Sequence, residues 1–464
     1  MSRFADAEHG MFPSSYDIFF TGQPNPGEKV SHFMDMIIVM LVGAMAAVLA
    51  NRGIAVFNDG LRPIVPEHIE GRLSRRELAL TAFAMGFGLV VGFGIPFTLT
   101  ASIILIHSIL LGTDIIGLAT PNNRWGTPVA ALFGGAYGAA LLMGLEGFVK
   151  LFEQLPVNVL DPMGEVGAPV VVMFMVFPAL AVAFQFGVAK GVWTFLAAAL
   201  VRQLAVWLNE TGLLTFQGSA VTLNQEGVAL IVGMIFLFVF AVRQKSGEEG
   251  EGVDLAAVFS DRVSRIRKHV VYFMVMGGLI AMATNLLVIA GDPISLNLLA
   301  KGQQTDAAIA ALARAVGFIP LVASTAIATG VYGPVGFTLV FVVGLLVPHV
   351  WLAGILGALV IMMEVLFLSS IARLLDKYPG VRESGENIRT AMTRILEVAL
   401  LIGGANAANA MAPGFGFFVI AGLYLLNEAA GRPIVRMAVG PVGAVAVGIL
   451  ANLLVFAGLM APPQ

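Results

Sequence analysis

Of the charged side chains that stand inside long apolar stretches, four set the first question of chemistry by their types and positions. They are Glu364 in Val360-Ile-Met-Met-Glu-Val-Leu-Phe367, Glu397 in Ile395-Leu-Glu-Val-Ala399, Asp114 in Gly112-Thr-Asp-Ile-Ile116 and Arg314 in Leu312-Ala-Arg-Ala-Val316. A charge near a bilayer centre costs at least about 2.5 to 3.5 kcal/mol on insertion scales, so each needs a partner or a function. Glu364 lies deep in its stretch and is a candidate to carry a coupling ion, H⁺ or Na⁺; the competing reading is a carboxylate hydrogen-bonded to a neighbouring helix. Glu397 is a second ion-coupling candidate, although it sits two residues inside its stretch, where a solvated end position serves equally. Asp114 and Arg314 are off-centre, and both are expected to snorkel to the interface.

Interrupted helices are the second source of chemistry, because a broken membrane helix exposes backbone groups that bind solutes. Ile95-Pro-Phe-Thr-Leu-Thr-Ala-Ser-Ile103 and Ile319-Pro-Leu-Val-Ala-Ser-Thr-Ala-Ile327 share Ile, Pro, a hydroxyl residue and the final Ile, with starts 224 residues apart. The spacing hints at an internal repeat with a site between its halves. Thr100, Ser324 and Thr325 are the substrate-binding candidates, against the alternative that hydroxyl residues only allow close helix packing. Asn406 and Asn409, three apart and so on one helical face, could bind a ligand or join helices. Asn58, Asp59 and Arg62 brace a loop or form a gate; the sequence leaves both open.

The elements that must position these residues follow from composition. Hydrophobic residues make up 58% of the 464 and charged ones 12%, with a mean hydropathy of +0.90, which demands a solvent other than water. Continuous apolar runs such as Val228 to Val242 exclude the dyad alternation of a membrane β-barrel. Residues 34–459 divide into about fourteen apolar stretches. The expected fold is therefore an all-α, polytopic transmembrane bundle of about 12 to 14 segments, some broken or re-entrant. Residues 1–33 read as a polar extension and 34–464 as a single transmembrane domain, with Ser246–Gly252 a solvated loop. Basic residues concentrate in three connections, around Arg52 to Arg76, Arg243 to Lys268 and Arg373 to Arg394, which places these loops in the cytoplasm and both termini outside. The absence of cysteine excludes disulfides and thiolate metal sites. A net charge of −3 without a large basic patch gives no sign of nucleic acid.

Several motifs carry a family resemblance. Ala55-Val-Phe-Asn-Asp-Gly-Leu-Arg-Pro-Ile-Val-Pro-Glu-His-Ile-Glu-Gly71 followed by Arg75-Arg-Glu77 resembles the first cytoplasmic loop of the bacterial YhfT family of inner-membrane proteins. Thr325-Ala-Ile-Ala-Thr-Gly-Val-Tyr332, Tyr378-Pro-Gly-Val-Arg382 and Leu426-Asn-Glu-Ala-Ala-Gly-Arg-Pro433 agree in order, from about residue 34 to the C-terminus. Asn158 stands where the family pattern has Asp. The resemblance implies a multi-pass inner-membrane protein of presumed transport function, and no substrate.

The chain has no HExxH, GxSxG or P-loop, so neither catalysis nor direct nucleotide use is indicated. The expectation is an ion-coupled secondary transporter of a small polar metabolite, without cofactor or metal, in contact with the lipid bilayer and using Na⁺ or H⁺. The alternatives are a permease that depends on a partner protein, as in phosphotransferase systems, and an intramembrane enzyme. A homo-oligomer is left open.

Overall fold

A chain this apolar can satisfy its backbone in lipid only by hydrogen-bonding within each segment, and the computed structural model is accordingly almost all helix. It describes residues 26–462, apart from 245–254 and scattered positions at 63, 102, within 154–174, within 214–224 and at 435. The Ser246–Gly252 loop and most of the N-terminal extension lie outside the described residues.

The first half runs α1 (Pro26–Asn51), α2 (Ile64–Ile69), α3 (Arg75–Leu89), a π-helical turn (Val90–Gly94), α4 (Ile95–Ala101), β1 (Ile104–Leu105), α5 (Ile106–Ala119), α6 (Gly126–Glu153), α7 (Phe177–Phe186), α8 (Val188–Thr211) and α9 (Gln225–Arg243), with a small hairpin of β2 (Thr215–Phe216) and β3 (Ser219–Ala220). The second half runs α10 (Leu255–Arg267), α11 (Val270–Asn285), β4 (Ile289–Ala290), α12 (Pro293–Ala300), α13 (Gln304–Thr329), α14 (Leu339–Leu346), α15 (Val350–Lys377), α16 (Pro379–Met411), α17 (Phe415–Ala429) and α18 (Arg436–Phe456). Local signals fix several boundaries. Ser74 and Glu77 form a reciprocal capping box at the start of α3, and Asp292 caps α12 ahead of Pro293 in the first turn.

Among the described residues, six helices are long and apolar enough to cross a membrane, and up to eight spans result if two bent pairs count as one each. The bent pairs are Ser260–Arg267 with Val270–Asn285, at 61°, and the two parts of α13 about residue 320, at 45°. This falls short of the 12 to 14 segments expected. The reason is length: α5, α7, α17 and the apolar part of α9 are helices of 10 to 17 residues, and at 1.5 Å per residue each falls short of a hydrocarbon layer about 30 Å thick. Large side chains on the outer faces point away from the protein, Trp193, Leu200, Trp351 and Phe418 being about 70% exposed or more in isolation. These features are consistent with a membrane protein.

Helix packing repeats between the halves. α1 packs along α6 and against α5, and α5 touches α6; α11 packs along α15 and against α14, and α14 touches α15. Likewise α7, α8 and α9 contact one another as α16, α17 and α18 do. The two longest seams depend on glycine. A Cβ on Gly43 would lie 2.3 Å from the Gly134 carbonyl oxygen, and one on Gly277 2.9 Å from that of Gly357.

Between the halves, two extended breaks cross. β1 pairs in parallel with β4, through Ile104 opposite Ile289 and Leu105 opposite Ala290. Ala55, just after α1, bridges in parallel to Tyr332, just after α13. The three basic connections gather at one end of the bundle: Arg265 donates to the Gly53 carbonyl at 3.2 Å, Arg52 to the Tyr272 hydroxyl at 2.6 Å, and Gln244, beside Arg243, to Glu383 at 2.9 Å.

Candidate functional site

Around the crossed breaks lies a cavity of about 810 Å³, a volume that suits a small-molecule site. The first half contributes Phe57, Asn58, Asp59 and Arg62 from the loop after α1, and Ile106 and His107 from the first turn of α5. The second half contributes Gly291, Asp292, Arg314 and Thr338. Toward the basic end of the bundle the walls are Arg389, Arg394 and Glu397 on α16, with Arg432 and Arg436. Cationic side chains thus outnumber the carboxylates Asp59, Asp292 and Glu397.

Arg314 is at the apolar bottom of this cavity. Its guanidinium lies 5.3 Å from the Phe318 ring centre and 5.7 Å from that of Phe341, and Nη1 donates to the Gly291 carbonyl at 2.9 Å. Asp292 Oδ2 is 3.5 Å from Nε, but that carboxylate accepts from the Ser295 amide at 2.8 Å and the Ser295 hydroxyl at 2.7 Å. Nε and Nη2 have no hydrogen-bond partner among the described residues. The side chain is therefore buried and not snorkelled, contrary to expectation. Asp114 is buried too, and it is a clasp: its two oxygens accept from the amides of Phe57 and Asn58 at 2.8 to 3.1 Å, fixing the loop after Ala55.

Glu364 performs the matching task on the second break. Oε2 accepts from the Phe337 amide at 2.8 Å and the Tyr332 hydroxyl at 3.1 Å, while Oε1 is buried with no partner among the described residues. It sits behind the cavity wall at Gly336, whose φ of +55° and whose closeness to the carboxylate both require glycine. Glu397, by contrast, is at the mouth, 3.1 Å from Arg394 and 3.8 Å from Arg436, the solvated position that the sequence allowed.

Of the hydroxyl candidates, Thr325 accepts from Arg62 Nη1 at 2.9 Å and donates to the Leu321 carbonyl at 2.8 Å. It braces an arginine of the wall and does not line the cavity. Arg62 also pairs with Asp59 at 2.8 Å, so Asn58, Asp59 and Arg62 form a braced loop on the cavity wall. The side chains of Thr100 and Ser324 lie outside the described residues. Asn406 and Asn409 are apart from the cavity: Asn406 lines an apolar groove between α16 and α17, and Asn409 accepts from the Gly414 amide at 2.8 Å.

Sequence reasoning missed His107, Asp292 and Thr338. His107 meets Phe57 and Phe93 edge-on at 4.9 and 5.0 Å, and its Nδ1 lacks a partner among the described residues. The described non-glycine residues with left-handed backbone are Leu287, Thr338 and Arg432, with φ of 59°, 73° and 65°. Each is beside a break or on the cavity wall, where local strain accompanies function.

A family model, YhfT, described as a protein of unknown function, matches residues 35–460. The chain is similar to the uncharacterized protein YhfT of Escherichia coli (strain K12), at 37% identity over 445 residues, 93% of this chain and 99% of that one. No solved structure matches.

Proposed function

The chain belongs to the YhfT family, and we propose that it is a membrane carrier that moves a small polar metabolite through the cavity at the crossed breaks. The crossing itself carries this reading. Ala55 and Ile289 each follow the opening helix of a half, α1 or α11, and lie 234 residues apart; Ile104 and Tyr332 lie 228 apart. The first break of one half pairs with the second break of the other, and conversely, as a two-fold relation between repeats requires. Both offsets lie close to the 224 between the proline motifs. Repeat-related halves that meet at broken helices around a central cavity suit alternating access, in which one half rocks against the other.

In this reading the short helices join across breaks to complete further crossings, toward the 12 to 14 of the sequence reading. The protein resides in the bacterial inner membrane, with its basic loops cytoplasmic and its termini outside. The cavity mouth at Arg389, Arg394 and Arg436 then faces the cytoplasm. Glu364 is the coupling residue: its buried oxygen, without a partner among the described residues and beside the second break, suits exchange of H⁺ or Na⁺.

The absence of cysteine provides a clean test. Thr338→Cys places one thiol on the cavity wall. Alternating access predicts its labelling by a membrane-impermeant maleimide in intact cells and also in inverted vesicles. Labelling from one side alone, whatever solutes are added, contradicts a carrier.

A further inference from the structure

We propose, building on the carrier reading, that the cavity's ligand is a small organic anion whose carboxylate docks on the Nε and Nη2 edge of Arg314. That edge is the side-on fork of a guanidinium, the pair of parallel N–H groups that receives both oxygens of a carboxylate. The third nitrogen is already committed to the Gly291 carbonyl at 2.9 Å, which fixes the orientation of the fork. Phe318 and Phe341 further restrict the guanidinium, 5.3 and 5.7 Å from their ring centres. Arg314 is only 5% exposed; its Nε has just the long ion pair with Asp292 and its Nη2 has no hydrogen-bond partner among the described residues, which is costly for a buried cation unless an acceptor reaches it. Asp292 supplies partial neutralisation at 3.5 Å, but both its oxygens are engaged by Ser295.

A second feature points to the same ligand charge. α5 begins in the cavity wall at Ile106 and His107, and its N-cap, Leu105, gives no side-chain cap. The first-turn amides of this 14-residue helix therefore present their positive end beside the cavity. The Thr338 hydroxyl, also on the wall, has no partner among the described residues and can donate to the same anion. At the mouth, Arg389, Arg394, Arg432 and Arg436 pair with Glu386, Glu397 and Glu428, which leaves one net positive charge at the entrance. A planar carboxylate matches the two parallel donors of the fork, and a phosphate ester is the competing source of the same charge.

The test uses the intact purified protein in detergent. Thermal midpoints are measured with lactate, malonate and succinate, with glycerol phosphate, and with neutral mannitol and cationic choline as probes of the other classes. The expected result is saturable stabilisation by at least one carboxylate, none by mannitol or choline, and a weaker effect of glycerol phosphate. Arg314→Lys, which keeps the charge but loses the fork, weakens the carboxylate response about ten- to hundred-fold. Should that variant not fold, the ligand panel on the parent protein decides alone. Stabilisation by mannitol or choline with none by carboxylates overturns the proposal, and so does a panel without any anion response. Preference for glycerol phosphate overturns the carboxylate assignment. The carrier reading fails separately: Arg314-dependent carboxylate binding with one-sided labelling of Thr338→Cys leaves an anion site without transport, whereas two-sided labelling with mannitol binding leaves a carrier of neutral solutes.

Discussion

Replacing Asp114 by Ala tests whether the first break is held by a buried clasp. Asp114 receives the amides of Phe57 and Asn58 in three contacts of 2.8 to 3.1 Å. Its removal leaves two backbone donors without their acceptor, at about 1 to 3 kcal/mol each. Two effects reduce the sum. Phe57 and Asn58 line the cavity, where water can reach their amides, and loss of a buried charge relieves its own desolvation. A net destabilisation of about 2 to 3 kcal/mol follows. Asp114→Asn keeps one acceptor oxygen and falls between. Glu397→Ala removes partners from Arg394 and Arg436 at the solvated mouth and costs about 1 kcal/mol or less. Reversible unfolding in mixed detergent micelles gives the energies, and amide hydrogen exchange at Phe57 and Asn58 reports the local opening. Equal losses for Asp114→Ala and Glu397→Ala, with exchange at Phe57 and Asn58 unchanged, would refute the reasoning.

Further outcomes follow from the same geometry. Glu364→Leu strands the Phe337 amide and the Tyr332 hydroxyl, and unfolding should show a loss of about 2 to 4 kcal/mol, whereas Tyr332→Phe loses about 1. Under the coupling role, Glu364→Gln abolishes the dependence of transport on pH or Na⁺; ion dependence like that of the parent would remove Glu364 from that role. Gly43→Leu and Gly277→Leu force both long seams apart and each destabilises by at least about 1 to 3 kcal/mol in the same assay. Gly144→Leu, whose Cβ would meet nothing within 4 Å, serves as the neutral control. Glu67, hydrogen-bonded to Arg72, and Glu77, hydrogen-bonded to Ser74, both titrate below the usual carboxylate range. Their folded pKa values lie below the unfolded ones, so their stabilisation is present above about pH 4.5 and is lost as pH falls further. Thermal midpoints measured down to about pH 3.5 should decline less steeply in the Glu67→Gln, Glu77→Gln double variant than in the parent.

Much of this arrangement was legible in the sequence, and the failures have physical causes. A charge in an apolar run announces its cost, so Glu364 and Arg314 stood out. Their depth was not legible. Position within an apolar run measures distance from a boundary only when the helix is continuous, and α5 is a half-length helix that starts inside the bundle at Ile106. Asp114, near its middle, is therefore buried instead of reaching an interface. The proline motifs pointed to a repeat offset near that of the crossed breaks, but two-residue strands leave no periodic signal. Asp292 could have been found, because Asp followed by Pro is a helix-start signature. His107 and Thr338 had no such sign; their places depend on tertiary contact between the halves. Asn406 and Asn409 share a helical face as their spacing requires, yet that face turns to α17 and not to the cavity.

The most direct measurement of the carrier account is counterflow in proteoliposomes. Vesicles are loaded with the carboxylate that most stabilises the purified protein, and entry of its labelled form is followed against vesicles without protein. The account predicts saturable, transient accumulation that Arg314→Gln abolishes. Binding of that carboxylate without any accumulation above protein-free vesicles would contradict it.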